Sequence, residues 1–186
     1  VFAGPGSPSY VLNQWKDSPV LACFVEKLHH GGGLVFASAA ACILGTRCLP
    51  VYEIYKVGQD PHWLPGLNLL QEIGLKAVIL PHFNNTSGTN HDTRYCYMGK
   101  RHLETLESML DPDEFIIGVD EHTALLIDLQ RKLISVEGKG CVTIRQQGQQ
   151  SQLWPGGWHP MQLLHPQASA NQNCDKAQVQ CETPEQ

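Results

Sequence analysis

The sequence predicts an α/β fold in three layers, a mostly parallel sheet flanked by helices. Three observations predict it. Short continuous apolar runs at 34–37 and 77–80 have the pattern of parallel strands covered on both faces. Segments with helical spacing alternate with them, such as Val20, Leu21, Phe24, Val25 and Leu28, and later Leu103, Leu106, Met109 and Leu110. The chain has 186 residues, 42% of them hydrophobic, which suits one globular domain. A domain of that size buries roughly 70% of the surface its unfolded chain exposes.

The elements follow in order. Residues 1–3 read as the end of a buried strand, broken by Gly4, Pro5 and Gly6. Ser7 is a helix N-cap with Pro8 at the first helical position, where the missing N–H costs nothing. Asp17, Ser18 and Pro19 start a second helix, which ends at Gly31, Gly32 and Gly33. A strand at 34–37 leads into a helix-prone run of small residues at 38–44. Residues 51–55 read as a short strand or extended segment, 67–73 as a short helix and 77–80 as a buried strand. A loop at 91–99 precedes a helix at 102–110 and a strand at 114–119. Residues 123–129 and 132–136 read as paired strands, and 138–144 add another. From Gln146 onward Gln, Pro, Ser, Asn and Gly dominate. The expected organisation is a domain over 1–145 and a Gln/Pro-rich, mostly disordered tail over 146–186 in which only 154–164 can pack.

Composition excludes several classes of function. The formal net charge of -5 supplies no basic stripe for nucleic acid. No run reaches the roughly 18 apolar residues of a membrane helix. The seven cysteines are odd in number and form no CxxC pair, which points to reduced thiols and a cytoplasmic protein. His91, Asp92 and Cys96 lack a strong zinc spacing, so no metal and no cofactor is expected.

Three residues stand where chemistry is expected, at the carboxyl ends of strands. Ser38 follows an apolar strand directly and opens a run of small residues, the arrangement of a nucleophile elbow. Helix N-terminal amides beside it suit a developing oxyanion. His82 follows the strand at 77–80 through Pro81 and is placed as a general base. Glu121, two residues after another strand, can orient that imidazole. Each also has a plainer reading: a helix N-cap for Ser38, a loop histidine for His82, a solvated turn for Asp120 and Glu121. Glu53 is the rival acid. Asn84 and Asn85 are candidates to hydrogen-bond substrate.

Taken together, Gly-Pro-Gly-Ser-Pro-Ser-Tyr (4–10), Val-Phe-Ala-Ser-Ala-Ala-Ala (35–41), Leu-Pro-His-Phe (80–83) and Gly-Val-Asp-Glu-His-Thr-Ala (118–124) resemble the aspartyl dipeptidase and cyanophycinase family. The resemblance runs from Val1 to about Ile144 and implies a flavodoxin-like, class I glutamine amidotransferase-like fold. It implies a Ser–His–Glu triad at Ser38, His82 and Glu121, with oxyanion donors at Ala39 and around Gly6. Of the family's basic substrate-binding residues, Arg94 is the counterpart here. The family's opening strand–helix portion is not found ahead of the glycine turn, so a missing N-terminal portion is expected. The chain also departs from the pattern: Ala37 and Ala40 replace elbow glycines, Leu80 stands where cyanophycinases carry Asp, and Pro8 lies near their Gln. A divergent branch is therefore expected, without a preference for aspartyl substrates.

The expected function is a serine hydrolase that cleaves a peptide or amide bond through an acyl-enzyme. The alternative is a non-catalytic, ligand-binding member of the same fold. The expected partners are a small peptide or amide substrate and, for assembly as a homodimer, a second copy of the chain. Neither nucleic acid nor membrane is expected.

Overall fold

The computed structural model describes residues 1–166. Strand β1 (Phe2–Ala3) opens the chain, and Ser7 caps helix α1 (Pro8–Trp15) by accepting the Tyr10 N–H at 3.3 Å. Helix α2 (Val20–His30) ends at Gly31, and strand β2 (Val35–Phe36) runs directly into helix α3 (Ala39–Cys42). Strand β3 (Arg47–Cys48), helix α4 (Val51–Tyr55), strand β4 (Leu64–Pro65) and a 3₁₀ turn at Leu69–Ile73 lead to strand β5 (Ala77–Leu80). Helix α5 (Gly99–Ser108) and strand β6 (Phe115–Val119) follow. Strands β7 (Thr123–Asp128), β8 (Leu133–Gly138), β9 (Val142–Gln146), β10 (Gln149–Leu153) and β11 (Trp158–Pro160) precede a 3₁₀ turn at Met161–Leu164.

The chain is α/β with several sheets, but the expected mostly parallel sheet is corrected. Among the described residues, two strand pairings are parallel, β1 with β2 and β5 with β6; the other five are antiparallel. The largest sheet has four strands in the order β10-β9-β6-β5. Hairpins account for part of the change, and β9, which returns antiparallel beside β6 after β7 and β8, for more of it. Gln146 pairs with Gln149, which leaves Gln147 (φ 50°) and Gly148 (φ 78°) as a two-residue loop. Two positive φ values match the twist of a tight hairpin, so β10 returns antiparallel beside β9. Strands β7 and β8 pair the same way, and β11 joins their outer edge.

Alternation along β5 and β6 builds two cores. Val78, Leu80 and Ile116 pack with Leu103 and Leu106 of α5. Ala77, Phe115 and Ile117 point to the other side and pack with Ile134, Val136 and Leu164. Successive side chains of a strand point to opposite faces, so both sides of this parallel pair are covered. Gly45 permits a further close approach: a Cβ there would lie 2.1 Å from the Ala77 carbonyl oxygen. The turn after α3 therefore presses against β5 as only glycine allows.

Three local expectations are also corrected. Residues 1–3 and 34–37 are not covered on both faces, since Phe2 is 70% and Val35 56% exposed. Residues 51–55 are helix rather than strand, closed by the Lys56 N–H donating to the Tyr52 carbonyl at 2.9 Å. Residues 149–153, expected to lie in the tail, form β10 beside β9, while 154–164 pack as expected, with Leu163 and Leu164 buried in the main core. The rest of the expected tail, from residue 167, lies outside the described residues. No helix among the described residues is long and apolar enough to cross a membrane.

Candidate active site

Ser38 sits between β2 and α3 with φ 53° and ψ -118°, a conformation that L-residues rarely adopt. Both flanks enforce it. The Ala37 N–H donates to the Ala3 carbonyl at 2.9 Å, extending the β1–β2 ladder, while the Ala41 N–H donates to the Ser38 carbonyl at 3.0 Å, opening α3. The strand-to-helix turn is thus completed within one residue, and its side chain is thrust into a cleft. Ala37 and Ala40 do not have positive φ, so glycine's freedom is not required at either position.

His82 is held at the end of β5. Its carbonyl accepts the N–H groups of Asn85 and Cys96, each at 3.2 Å, and the following residue, Phe83, donates its N–H to Val119 at 3.1 Å. Gly118 of β6 leaves room for the Phe83 ring, since a Cβ there would lie 2.4 Å from it. Glu121 follows β6 and is fixed by its own N–H, which donates to Asn84 Oδ1 at 2.8 Å. The neighbouring Asp120 turns away and accepts the Cys141 N–H at 2.9 Å.

The three side chains meet in one line. Ser38 Oγ lies 3.0 Å from His82 Nε2, and His82 Nδ1 lies 3.0 Å from Glu121 Oε1. With the imidazole proton on Nδ1, facing the carboxylate, Nε2 is free to accept from the serine hydroxyl. Asn85 Nδ2 donates to the same oxygen, Glu121 Oε1, at 2.7 Å. That bond holds the Glu121 carboxyl below its usual range, against the opposing effect of burial and with help from His82. Glu53, the rival acid, instead accepts the Ser9 hydroxyl, and its other oxygen is buried without a partner among the described residues.

The cleft has a volume of about 230 Å³, and Gly6, Ser38, Ala39 and His82 line it. Among the described residues the N–H groups of Gly6 and Ala39 carry no hydrogen bond outside regular secondary structure. Cys42 and Cys96 also line the cleft. The neighbouring Cys96 thiol first, and burial second, hold the Cys42 thiol well above its ordinary value, so it offers no thiolate to compete with Ser38. A larger, more open hollow of about 490 Å³ lies between His29, Glu72, Lys132 and Met161. None of Ser38, His82 or Glu121 lines it.

No family model and no curated protein matches the sequence. The fold is similar to that of a peptidase from an acI-B1 Actinobacterium, known from a crystal structure, with a TM-score of 0.63 and 22% sequence identity. The likeness covers 86% of this chain and 58% of that one, so this chain spans under two thirds of the peptidase's length. At that identity the likeness is one of fold.

Ser38, His82 and Glu121 are brought together, and Gly6 and Ala39 stand beside them. The other candidates are placed differently. Asn85 is 4% exposed, and it and Asn84 turn to Glu121 rather than to the cleft. Arg94 does not line the cleft and closes a two-point pair on Asp92, at 2.8 and 2.7 Å. Reading the sequence missed Tyr52, Tyr55, Lys56 and Tyr97, all of which line the cleft. The one signal for Tyr52 and Tyr55 was the pattern of large residues at 51–55, which a strand and a short helix explain equally well.

Proposed function

We propose that this protein is a serine-type hydrolase that cleaves a peptide or amide bond. The observation that carries the reading is the line of hydrogen bonds from Ser38 Oγ through His82 to Glu121, 3.0 Å at each step. The likeness of fold to a peptidase supports it at the level of the scaffold. The strained backbone at Ser38 supports it too, because such strain clusters at working residues.

In this reading His82 Nε2 takes the proton of Ser38 as the hydroxyl oxygen attacks the carbonyl carbon. The carbonyl oxygen gains charge and is held by the N–H groups of Ala39 and Gly6. Glu121, kept ionised by Asn85, balances the imidazolium without taking its proton. His82 then gives its proton to the leaving nitrogen, and water, activated by the same imidazole, frees the acyl group. We assign the scaffold to a divergent branch of the class I glutamine amidotransferase-like fold and the protein to the reducing cytoplasm, where the five thiols of the described residues stay free.

The test is the hydrolysis of a mixed pool of short peptides, followed by the appearance of free amine. Ser38→Ala is expected to lower the rate by about three orders of magnitude or more with an unchanged melting temperature. Hydrolysis at the wild-type rate by that variant overturns the proposal.

A further inference from the structure

The cleft beside Ser38 has an aromatic side and one cation, and together they describe a substrate. This inference rests on the hydrolase reading. His82 must deliver a proton to the departing nitrogen, so the leaving residue lies against whatever surface adjoins the imidazole. That surface is Tyr97, whose ring centroid is 5.8 Å from that of His82. Tyr55 extends it, 5.3 Å from Tyr97 between centroids, and the Tyr55 hydroxyl is tied back to His91 Nε2 at 2.8 Å.

The loop goes to some expense to put Tyr97 there. Tyr95, Cys96 and Tyr97 have φ values of 60°, 58° and 68°, three consecutive side-chain-bearing residues in the left-handed region. Hydrogen bonds from Tyr95 N to Phe83 O, 2.8 Å, and from Cys96 N to His82 O, 3.2 Å, hold the loop against the strand end. Burial, and after it the Glu121 charge, raise the Tyr97 phenol above its ordinary value, so the wall remains neutral.

Lys56 also lines the cleft. Its ammonium lies 4.1 Å from the centre of the Tyr52 ring and makes no ion pair with a carboxylate among the described residues. Among the described residues no Asp or Glu lines the cleft. A volume of about 230 Å³ is below the roughly 300–1,000 Å³ of clefts that engulf drug-sized molecules.

The geometry points to a leaving residue with an aromatic or large apolar side chain, packed on Tyr97 and Tyr55, and a free carboxylate that meets Lys56. The substrate is then a short peptide cut at its last bond. The C–N bond breaks, the carbonyl carbon bonds first to Ser38 Oγ and then to water oxygen, and the free amino acid departs with the proton from His82.

Three dipeptide sets test this, each with all twenty residues at the first position. The second residue is Phe, Phe amide or Gly. Each set is assayed with the wild type, Lys56→Gln and Tyr97→Ala, and each protein is also labelled with a fluorophosphonate. The wild type is expected to favour Phe over Phe amide by about tenfold or more in kcat/KM, as one charge-assisted contact allows. It is expected to favour Phe over Gly by a similar factor, about tenfold. Lys56→Gln should bring the first ratio near one and Tyr97→Ala the second, while both still label. High salt should shrink the first ratio in the wild type, because Lys56 is exposed. Equal rates on the three sets, ratios that ignore the two substitutions, or a protein that labels yet cleaves no dipeptide would each overturn the inference and leave the nucleophile standing. A protein that neither labels nor cleaves ends the hydrolase reading and this one with it.

Discussion

One oxygen of Glu121 receives two donors, His82 Nδ1 at 3.0 Å and Asn85 Nδ2 at 2.7 Å. Asn85 is anchored in turn, since its Oδ1 accepts the Ser87 N–H at 3.1 Å and the Ser87 hydroxyl at 2.8 Å. Asn85→Asp keeps the acceptor for Ser87 but replaces the donor with a second negative charge. Glu121 is depressed in the native protein, so its carboxylate persists as pH falls below the ordinary carboxylate range. The substitution raises it, and the charge opposite His82 is then lost at a higher pH. The expected result is a fall of about 10- to 100-fold in kcat, little change in KM, and an acid edge of the kcat profile moved upward in pH. Superimposable pH profiles would show Asn85 to be merely structural. At Ser38 the backbone itself is testable. Ser38→Gly relieves the positive φ while Ser38→Ala does not, so the glycine variant should melt about 2–4 °C above the alanine variant, near 1 kcal/mol. The roles of Asn84, Asn85 and Arg94 were not legible in sequence. Asn and Arg show their polar groups there, but not that the Asp92 carboxylate holds Arg94, that the Glu121 carboxylate holds Asn85, or that Asn84 Oδ1 accepts the Glu121 N–H.

Elements carry these residues, and the parallel pair β5–β6 carries two of the three. Phe83, just after β5, packs its ring over Gly118 of β6 and follows His82 directly in the chain. Gly118→Ala drives a methyl into that ring, with an expected loss of about 1–3 kcal/mol of stability and a drop in kcat larger than any change in KM. Thermal melts and steady-state kinetics on the same preparation check both. Helices with a cap and an apolar stripe were legible in the sequence: Ser7 and Pro8 mark the start of α1, and α2 follows Pro19 as its pattern requires. Strand β5 was legible to the residue because it is short, apolar and bounded by Lys76 and Pro81. Helix α4 was not, for five residues hold too few turns to separate a period of 3.6 from one of 2. Strand β10 was hidden by its composition, since Gln-Gln-Ser-Gln-Leu pairs through its backbone along an open edge and has little apolar pattern to display.

Across the molecule, the last described segment closes the core. Leu164 is fully buried among Phe115, Ile134 and Ile144, far along the chain from the site. Leu164→Ala should therefore cost about 2–5 kcal/mol, read from denaturant unfolding, and leave the hydrolysis rate of the remaining folded protein unaltered. The α/β class was legible because apolar runs alternate with helical stripes. The strand directions were not, because pairing depends on two-residue turns such as Gln147 and Gly148 that composition alone leaves unmarked. What the fold achieves is convergence: three strand ends, distant in sequence, deliver a hydroxyl, an imidazole and a carboxylate to one line. The most direct measurement of that convergence is mass mapping of the protein after exposure to a fluorophosphonate. The account predicts one adduct, on Ser38, formed at a rate that His82→Ala abolishes and Glu121→Gln lowers. An unmodified Ser38, or one that reacts equally fast without the imidazole, would contradict it.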